Sequence, residues 1–188
     1  MNDLLALATE VRARYIQALL ASLAQFKRLH TPSAPEVMFE LPRDEALPYR
    51  LYRADMATNA GGEAKMQDVN PSTHLSFEPF GVEVAEEVTA SVRPFVWNDI
   101  GLHANTTLPA EPVEAWALRW LDIDDKLIQD ENGLQGVIHS VTREDHVDGS
   151  TLLTVDFGSA PVEALREIME LAYAAGSTHV SIFSATLE

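Results

Sequence analysis

The fold is decided mainly by residues 134–183, which read LQGVIHSVTREDHVDGSTLLTVDFGSAPVEALREIMELAYAAGSTHVSIF. Two β-type runs, Leu134 to Val141 and Leu152 to Phe157, flank the turn signal Asp148-Gly149-Ser150, and this pattern predicts a β-hairpin. A helix and a last strand are predicted after the hairpin. The unit indicates an α+β domain whose sheet is largely antiparallel.

The helix of this unit is predicted from apolar residues at spacings of three and four. These residues are Val162, Leu165, Ile168, Met169 and Ala172. Ser159 can cap the helix, Pro161 suits its first turn, and Gly176 suits the left-handed residue that closes it. The last strand is predicted within residues 180–183. If it lies beside Leu152–Phe157, the crossover through the helix should be right-handed.

The N-terminal segment predicts a long helix that Pro32 and Pro35 end. Lys27 and Arg28 would complement the negative end of its dipole. Its apolar residues form one stripe: Leu4, Leu7, Val11, Tyr15, Leu19, Leu23 and Phe26. We favour packing of this stripe on the sheet, and the alternative is that part of the helix forms a homodimer contact.

The middle of the chain predicts shorter elements. Two hairpin strands, Val37–Leu41 and Leu47–Arg53, are predicted around a turn at residues 42–45. Residues 56–73 lack apolar periodicity, which predicts a long loop of the kind that is often functional. Residues 76–92 fit a helix and a strand equally well, whereas Phe95–Trp97 predicts a short strand.

A short amphipathic helix is predicted from Pro112 to Asp122. Trp116 and Trp120 lie four residues apart and therefore share one face of this helix. An exposed pair would anchor a partner, and a buried pair would pack in the core. We favour packing.

The composition indicates one globular domain over residues 1–188. A hydrophobic fraction of 46% excludes wholesale disorder, and the absence of cysteine excludes a disulfide scaffold or a cysteine-ligated metal. No run approaches the ~18 apolar residues of a membrane-spanning helix. Glu10, Arg12 and Arg14 interrupt the apolar N-terminal stretch, so no signal peptide is expected. We therefore expect a cytoplasmic protein.

The charge is strongly and unevenly acidic. The chain carries a formal net charge of −16, and residues 76–188 hold 20 acidic and five basic side chains. Such a body repels phosphate backbones, so binding to nucleic acid or to anionic membranes is not expected. A basic protein partner would instead be attracted.

Established catalytic motifs are missing from the sequence. It contains no phosphate-binding G-x-x-x-x-G-K-[ST] or G-x-G-x-x-G, no G-x-S-x-G and no H-E-x-x-H. An EF-hand beginning at Asp122 fails, because Leu127 and Gly133 occupy its glycine and glutamate positions. A looser Ca²⁺ or Mg²⁺ site at Asp122, Asp124 and Asp125 is an alternative, but we favour a solvated loop.

His139 and Ser140 lie in the first predicted hairpin strand, and Asp156 ends the second. Adjacent strand residues point to opposite faces, so chance explains this trio better than catalysis does. Asp156 also precedes a predicted helix, a common position for ligand-binding groups, although a turn role explains it equally well. We assign no catalytic residue, metal or cofactor.

These observations favour a non-enzymatic acidic interaction protein of bacterial type, such as an immunity-like inhibitor that docks a basic partner. The candidate partner-binding residues are Asp122, Asp124, Asp125, Asp130 and Glu131. The alternative is a small-ligand-binding or hydrolytic enzyme with a carboxylate-rich, metal-assisted cleft. A pocket lined by several of these aspartates, His139 and Asp156 would favour the enzyme.

Overall fold

A computed structural model describes residues 1–59, 62, 64–70, 74–85 and 88–187. The α-helices of this part are α1 (Asn2–Leu29), α2 (Ala110–Leu121) and α3 (Val162–Ala174). The strands are β1 (Ser33–Glu40), β2 (Leu51–Thr58), β3 (Lys65–Gln67), β4 (Phe80–Ala85), β5 (Val88–Val92), β6 (Ile100–Ala104), β7 (Ser140–Asp145), β8 (Thr151–Asp156) and β9 (His179–Phe183). A 3-10 turn, Ala185–Leu187, follows β9. The α+β prediction is confirmed.

The strands form two sheets. A three-stranded antiparallel sheet has the order β1-β2-β3, and a six-stranded sheet has the order β4-β5-β9-β6-β8-β7. Among the described residues of the six-stranded sheet, β5 and β9 are the only parallel neighbours. The predicted largely antiparallel architecture is therefore correct, and β7 and β8 form the predicted C-terminal hairpin.

The last strand does not lie beside β8. β9 pairs with β5 on one side and with β6 on the other, and β6 separates it from β8. Because β8 and β9 both run antiparallel to β6, they are parallel to each other. The connection through α3 therefore passes across β6, a strand that the sequence pattern did not identify.

The apolar stripe of α1 lies in the core. Its buried residues are Leu4, Ala8, Val11, Tyr15, Leu19, Leu23 and Phe26, so Ala8 is buried where the spacing favoured Leu7. The helix contacts α3 and the strands β1 and β2. This confirms the packing interpretation, while the homodimer stays a prediction. No helix among the described residues is long and apolar enough to cross a membrane.

The predicted tryptophan pair of α2 packs inward. Trp116 is buried, its Nε1 donates to the Ala164 carbonyl at 3.1 Å, and its ring centroid lies 6.3 Å from that of Phe157. Trp120 is half-buried, and its Nε1 donates to Glu167 Oε2 at 2.8 Å. The two indole hydrogen bonds join α2 to α3, whose buried residues belong to one core with those of the sheets.

Several predicted boundaries in the middle of the chain were wrong. The first hairpin pairs Glu40 with Leu51, so residues 47–50 form a turn and β2 extends to Thr58, inside the predicted loop. Part of that loop also forms β3, and residues 60, 61, 63 and 71–73 of the loop lie outside the described residues.

The segment at residues 76–92, which fitted a helix and a strand equally well, contains the strands β4 and β5. Residues 95–97 do not form the predicted strand. They lead into a tight turn closed by the Val96–Asp99 bridge, although Phe95 and Trp97 are both buried in the alternating pattern of a strand.

The apolar run at residues 134–139 is not part of the hairpin, since β7 begins only at Ser140. Val137, Ile138 and His139 are completely buried, which explains their strand-like composition. Their backbone connects the two sheets: Arg53 N in β2 donates to His139 O at 2.8 Å, and His139 N donates to the carbonyl of Asp156 at 2.8 Å.

The two ends of α3 differ in how well the sequence predicted them. Pro161, and not Ser159, is the N-cap residue, and the Ser159 hydroxyl bonds elsewhere. At the other end Gly176 has φ +89°, and Ser177 N donates to the Ala172 carbonyl at 3.0 Å. That bond, together with one from Gly176 N to Tyr173 O, is the Schellman motif, so the predicted left-handed cap is confirmed.

Candidate functional site

The predicted partner-binding residues lie in one exposed segment, residues 122–133, which we call the acidic loop. It begins where α2 ends, because Asp122 takes a left-handed conformation at φ 48°. The Asp122 carboxylate accepts the backbone N–H groups of Lys126 and Leu127, both at 2.9 Å. Asp122 is only 7% exposed, so it shapes the loop and presents little surface of its own.

The other four acidic residues of the loop are exposed. Asp124 pairs with Lys126 at 2.5 Å, and Asp130 accepts N–H groups of Asn132 and Leu134 at 2.8 and 2.9 Å. The hydrogen bond from Arg53 lowers the pKa of Asp125 against the opposing effect of burial. Backbone bonds likewise outweigh burial and lower the pKa of Asp130. The carboxylates of Asp125 and Asp130 therefore carry charge at neutral pH.

Large apolar side chains alternate with the acidic residues of the loop. Ile128 is 93% exposed, and Ile123 and Leu127 are each 43% exposed. Isolated exposed apolar residues are ordinary, but several within one short charged segment favour a protein interface. The sequence analysis identified the carboxylates and missed these three residues.

Arg53 of β2 fixes the loop from inside the protein, where its side chain is 2% exposed. Its Nε and Nη2 donate at 2.8 Å to the carbonyls of Leu121 and Asp122, which α2 leaves without helical partners. Nη2 also lies 3.0 Å from Asp125 Oδ1. A buried guanidinium therefore caps α2 and holds the first part of the acidic loop.

A second candidate site surrounds His139, in the segment between the two sheets. We call it the His139 centre, and its residues are Tyr15, Glu36, Asp55, His139, Asp156 and Ser159. His139 Nε2 lies 3.0 Å from Glu36 Oε1. Its Nδ1 lies 3.1 Å from Asp55 Oδ1, an ion-pair contact whose angle is poor for a hydrogen bond. The imidazole thus sits between two carboxylates.

Glu36 reaches the centre through an unusual backbone conformation. It has φ +49° within β1, a left-handed value that non-glycine residues rarely take in a strand. Its Oε1 also accepts the Ser159 hydroxyl, and its Oε2 accepts the backbone N–H of Gln135 at 2.5 Å. The Ser159 hydroxyl oxygen in turn accepts the N–H groups of Gly136 and Val137.

Asp55 is held from the side of α1. The Tyr15 hydroxyl donates to Asp55 Oδ1 at 2.7 Å, and Val69 N donates to Oδ2 at 2.6 Å. Gly158 lies against the imidazole of His139 so closely that an added Cβ would be 2.2 Å from its Cδ2. Backbone and side chains therefore enclose the ring on several sides.

The electrostatics of the centre favour a charged imidazole. Burial alone would lower the pKa of His139, but the contacts with Asp55 and Glu36 outweigh it and raise the pKa to about 10. Burial would raise the pKa of Asp55, yet His139 and the bonds from Tyr15 and Val69 lower it below its ordinary value. Desolvation raises the pKa of Asp156 to about 7, although His139 opposes this shift. Both ring nitrogens therefore carry hydrogen at neutral pH.

This centre offers no open surface to a substrate. The side chains of His139, Glu36 and Asp55 are 1%, 0% and 3% exposed. A cavity beside Tyr15 has a volume of about 10 Å³, which is no larger than one water molecule requires. Within the described residues no group of three or more His, Asp or Glu side chains is placed to hold a metal ion.

Of the three residues that the sequence analysis considered together, His139 and Asp156 belong to this centre and Ser140 does not. Asp156 meets His139 through a backbone hydrogen bond and through its charge, whereas Ser140 pairs with Asp156 in the β7–β8 ladder. The serine of the centre is Ser159. Comparison with protein-family models, with curated proteins and with solved structures found no match for this chain.

Proposed function

We propose that this chain is a protein-interaction protein that docks a basic protein partner through the acidic loop. One observation carries the proposal: residues 123–131 expose three large apolar side chains among four exposed carboxylates. An inhibitor that neutralises a basic toxin, as immunity proteins do, is one protein of this kind.

The physical chemistry of interfaces supports this assignment. A few side chains that become fully buried near the centre of a contact supply most of the binding energy, and charges at its rim steer the partner and set specificity. Ile128 suits the first role, while Asp124, Asp125, Asp130 and Glu131 suit the second. The net charge of −16 adds long-range attraction for a basic surface.

The loop is also held in shape before any partner arrives. Asp122 bonds the backbone of its first turn, Asp130 bonds the backbone of its last turn, and Arg53 holds Asp125. A loop fixed in one conformation loses less entropy on binding, which favours affinity.

The enzyme alternative has less support. The grooves we find on the described surface lie between α2 and α3 near Trp116, on the outer face of β1 and β2 near Phe39, beside Arg143 and beside Phe183. None of these four is lined by a residue of the His139 centre or of the acidic loop. We therefore propose no reaction.

The test compares two variants that each lose four negative charges. The loop variant carries Asp124→Asn, Asp125→Asn, Asp130→Asn and Glu131→Gln. The control variant carries Asp3→Asn, Glu10→Gln, Asp44→Asn and Glu45→Gln, all exposed positions outside the loop. Partners are captured from the source cell by wild type, purified, and their association rates are measured at low and high salt.

We expect a basic partner whose association with wild type and with the control variant slows steeply as salt shortens the Debye length from about 10 Å at 0.1 M. The loop variant should associate more slowly and respond less to salt, and Ile128→Ser should mainly speed dissociation. Equal rates for the loop and control variants, or a partner that is itself acidic, would refute the proposal.

A further inference from the structure

The His139 centre and the acidic loop are joined by a continuous set of contacts. Glu36, which meets His139 through Oε1, accepts Gln135 N through Oε2 at 2.5 Å. The Gln135 side-chain oxygen accepts Arg53 Nη1 at 2.9 Å, and the same guanidinium reaches Asp125 at 3.0 Å. Four contacts therefore lead from the imidazole to the loop.

Arg53 is tied to the centre twice more. Its Nη1 donates to the Glu36 carbonyl at 2.7 Å, and its backbone N–H donates to His139 O at 2.8 Å. The carbonyl contact is available because φ +49° turns the Glu36 backbone out of regular strand geometry. A shift of Glu36 therefore moves the carbonyl that accepts a hydrogen bond from Arg53, and Arg53 is the residue that holds the loop.

We propose that His139 is a positioning residue for the acidic loop: its charged imidazole holds Glu36, and through Gln135 and Arg53 it keeps the loop in its presenting conformation. Loss of the ring charge weakens the hold on Glu36 and loosens the loop. The consequence for partner binding rests on the proposed function, whereas the coupling itself does not.

The titratable groups around His139 come from four elements. Glu36 of β1 and Asp55 of β2 contact its ring, Asp156 of β8 acts on it through its charge, and Tyr15 of α1 donates to Asp55. The more distant charges acting on these groups are Arg12, Arg53 and Asp68. Negative groups predominate around the ring, which explains why the cation is the state that fits the site.

The closing experiment is a pH titration by NMR of protein labelled at the isoleucine δ1 methyl groups. Ile123 and Ile128 report the loop, and Ile168 and Ile182, both buried in α3 and β9, serve as controls. The titration uses a Lys126→Gln background, because the Lys126 ammonium lies in the loop and a lysine also loses its charge at alkaline pH. Ring signals of His139 are followed in the same samples.

We expect the Ile123 and Ile128 signals to move with the midpoint of the His139 titration, while the control methyl groups stay in place and circular dichroism shows a folded protein. His139→Gln, which keeps one N–H donor without the charge, should displace the same two signals already at neutral pH. Loop signals that stay fixed while His139 titrates would overturn the inference, as would a His139 that is already uncharged at pH 8.

Partner binding separates this inference from the proposed function. If the loop signals move but His139→Gln binds the basic partner at the wild-type rate, the coupling stands and the loop is not the docking surface. If the loop signals do not move, the coupling fails whatever the partner does.

Discussion

Gly158→Ala tests how tightly the backbone closes over His139. Gly158 has φ +46°, and a left-handed conformation costs an L-residue about 1–2 kcal/mol. The new methyl group would also lie 2.2 Å from the imidazole Cδ2, and overpacking of this kind costs typically about 1–3 kcal/mol. Alanine has a lower chain entropy than glycine in the unfolded state, which offsets roughly 0.4–1 kcal/mol of this loss in stability. The expected loss in the free energy of unfolding is therefore about 2–4 kcal/mol.

The control is Gly176→Ala, since Gly176 is also left-handed, at φ +89°, but a Cβ there would meet no atom within 4 Å. It should carry the backbone cost alone. Urea unfolding followed by circular dichroism gives the free energy for both variants, and each kcal/mol corresponds to a shift of about 2–4 °C in melting temperature. If Gly158→Ala loses no more stability than Gly176→Ala, the close packing of Gly158 on His139 is wrong.

Two further predictions concern buried charge. Arg53→Met should lower the free energy of unfolding by about 3 kcal/mol or more, because the carbonyls of Leu121, Asp122 and Glu36 each lose a buried hydrogen-bond donor. Arg50→Met, at a surface pair with Glu40, should cost under about 1 kcal/mol in the same urea assay. Raising the pH from 7 to 10 should destabilise the protein, because folding raises the pKa of His139 from 6.5 to about 10. The stabilisation from the charged ring is complete below pH 6.5, declines above it, and is lost as the pH rises through about 10. In His139→Gln the urea midpoint should fall less between pH 7 and 10.

Much of the fold follows from local patterns in the sequence. The stripe of α1, the Trp116 face of α2 and the glycine cap of α3 were predictable because helical periodicity and capping are set by neighbouring residues. The strand order was not, since it depends on pairings between distant segments. Nothing near β9 in the sequence indicates that β6 will separate it from β8.

The His139 centre was only half visible in the sequence. His139 and Asp156 stood out in the sequence. Their partners Glu36 and Asp55 come from β1 and β2, which lie roughly 80–100 residues before His139 in the chain. One signal was available: Arg53 and Asp55 interrupt the strand LYRADMAT, where charged residues at buried positions require partners. Their partners could be named only once the two sheets were placed.

The buried charged groups between the His139 centre and the acidic loop fix orientation more than they add stability. A buried ion pair seldom adds net stability over a well-packed apolar substitute, because both charges must give up their hydration. Such a pair does fix the relative orientation of the groups it joins, because hydrogen bonds are directional. Arg53 shows this most clearly: an apolar residue could fill its volume, but only a planar donor can meet Leu121, Asp122 and Glu36 at the same time. The buried charges therefore determine where the end of α2 lies, and with it where Ile128 is presented to solvent.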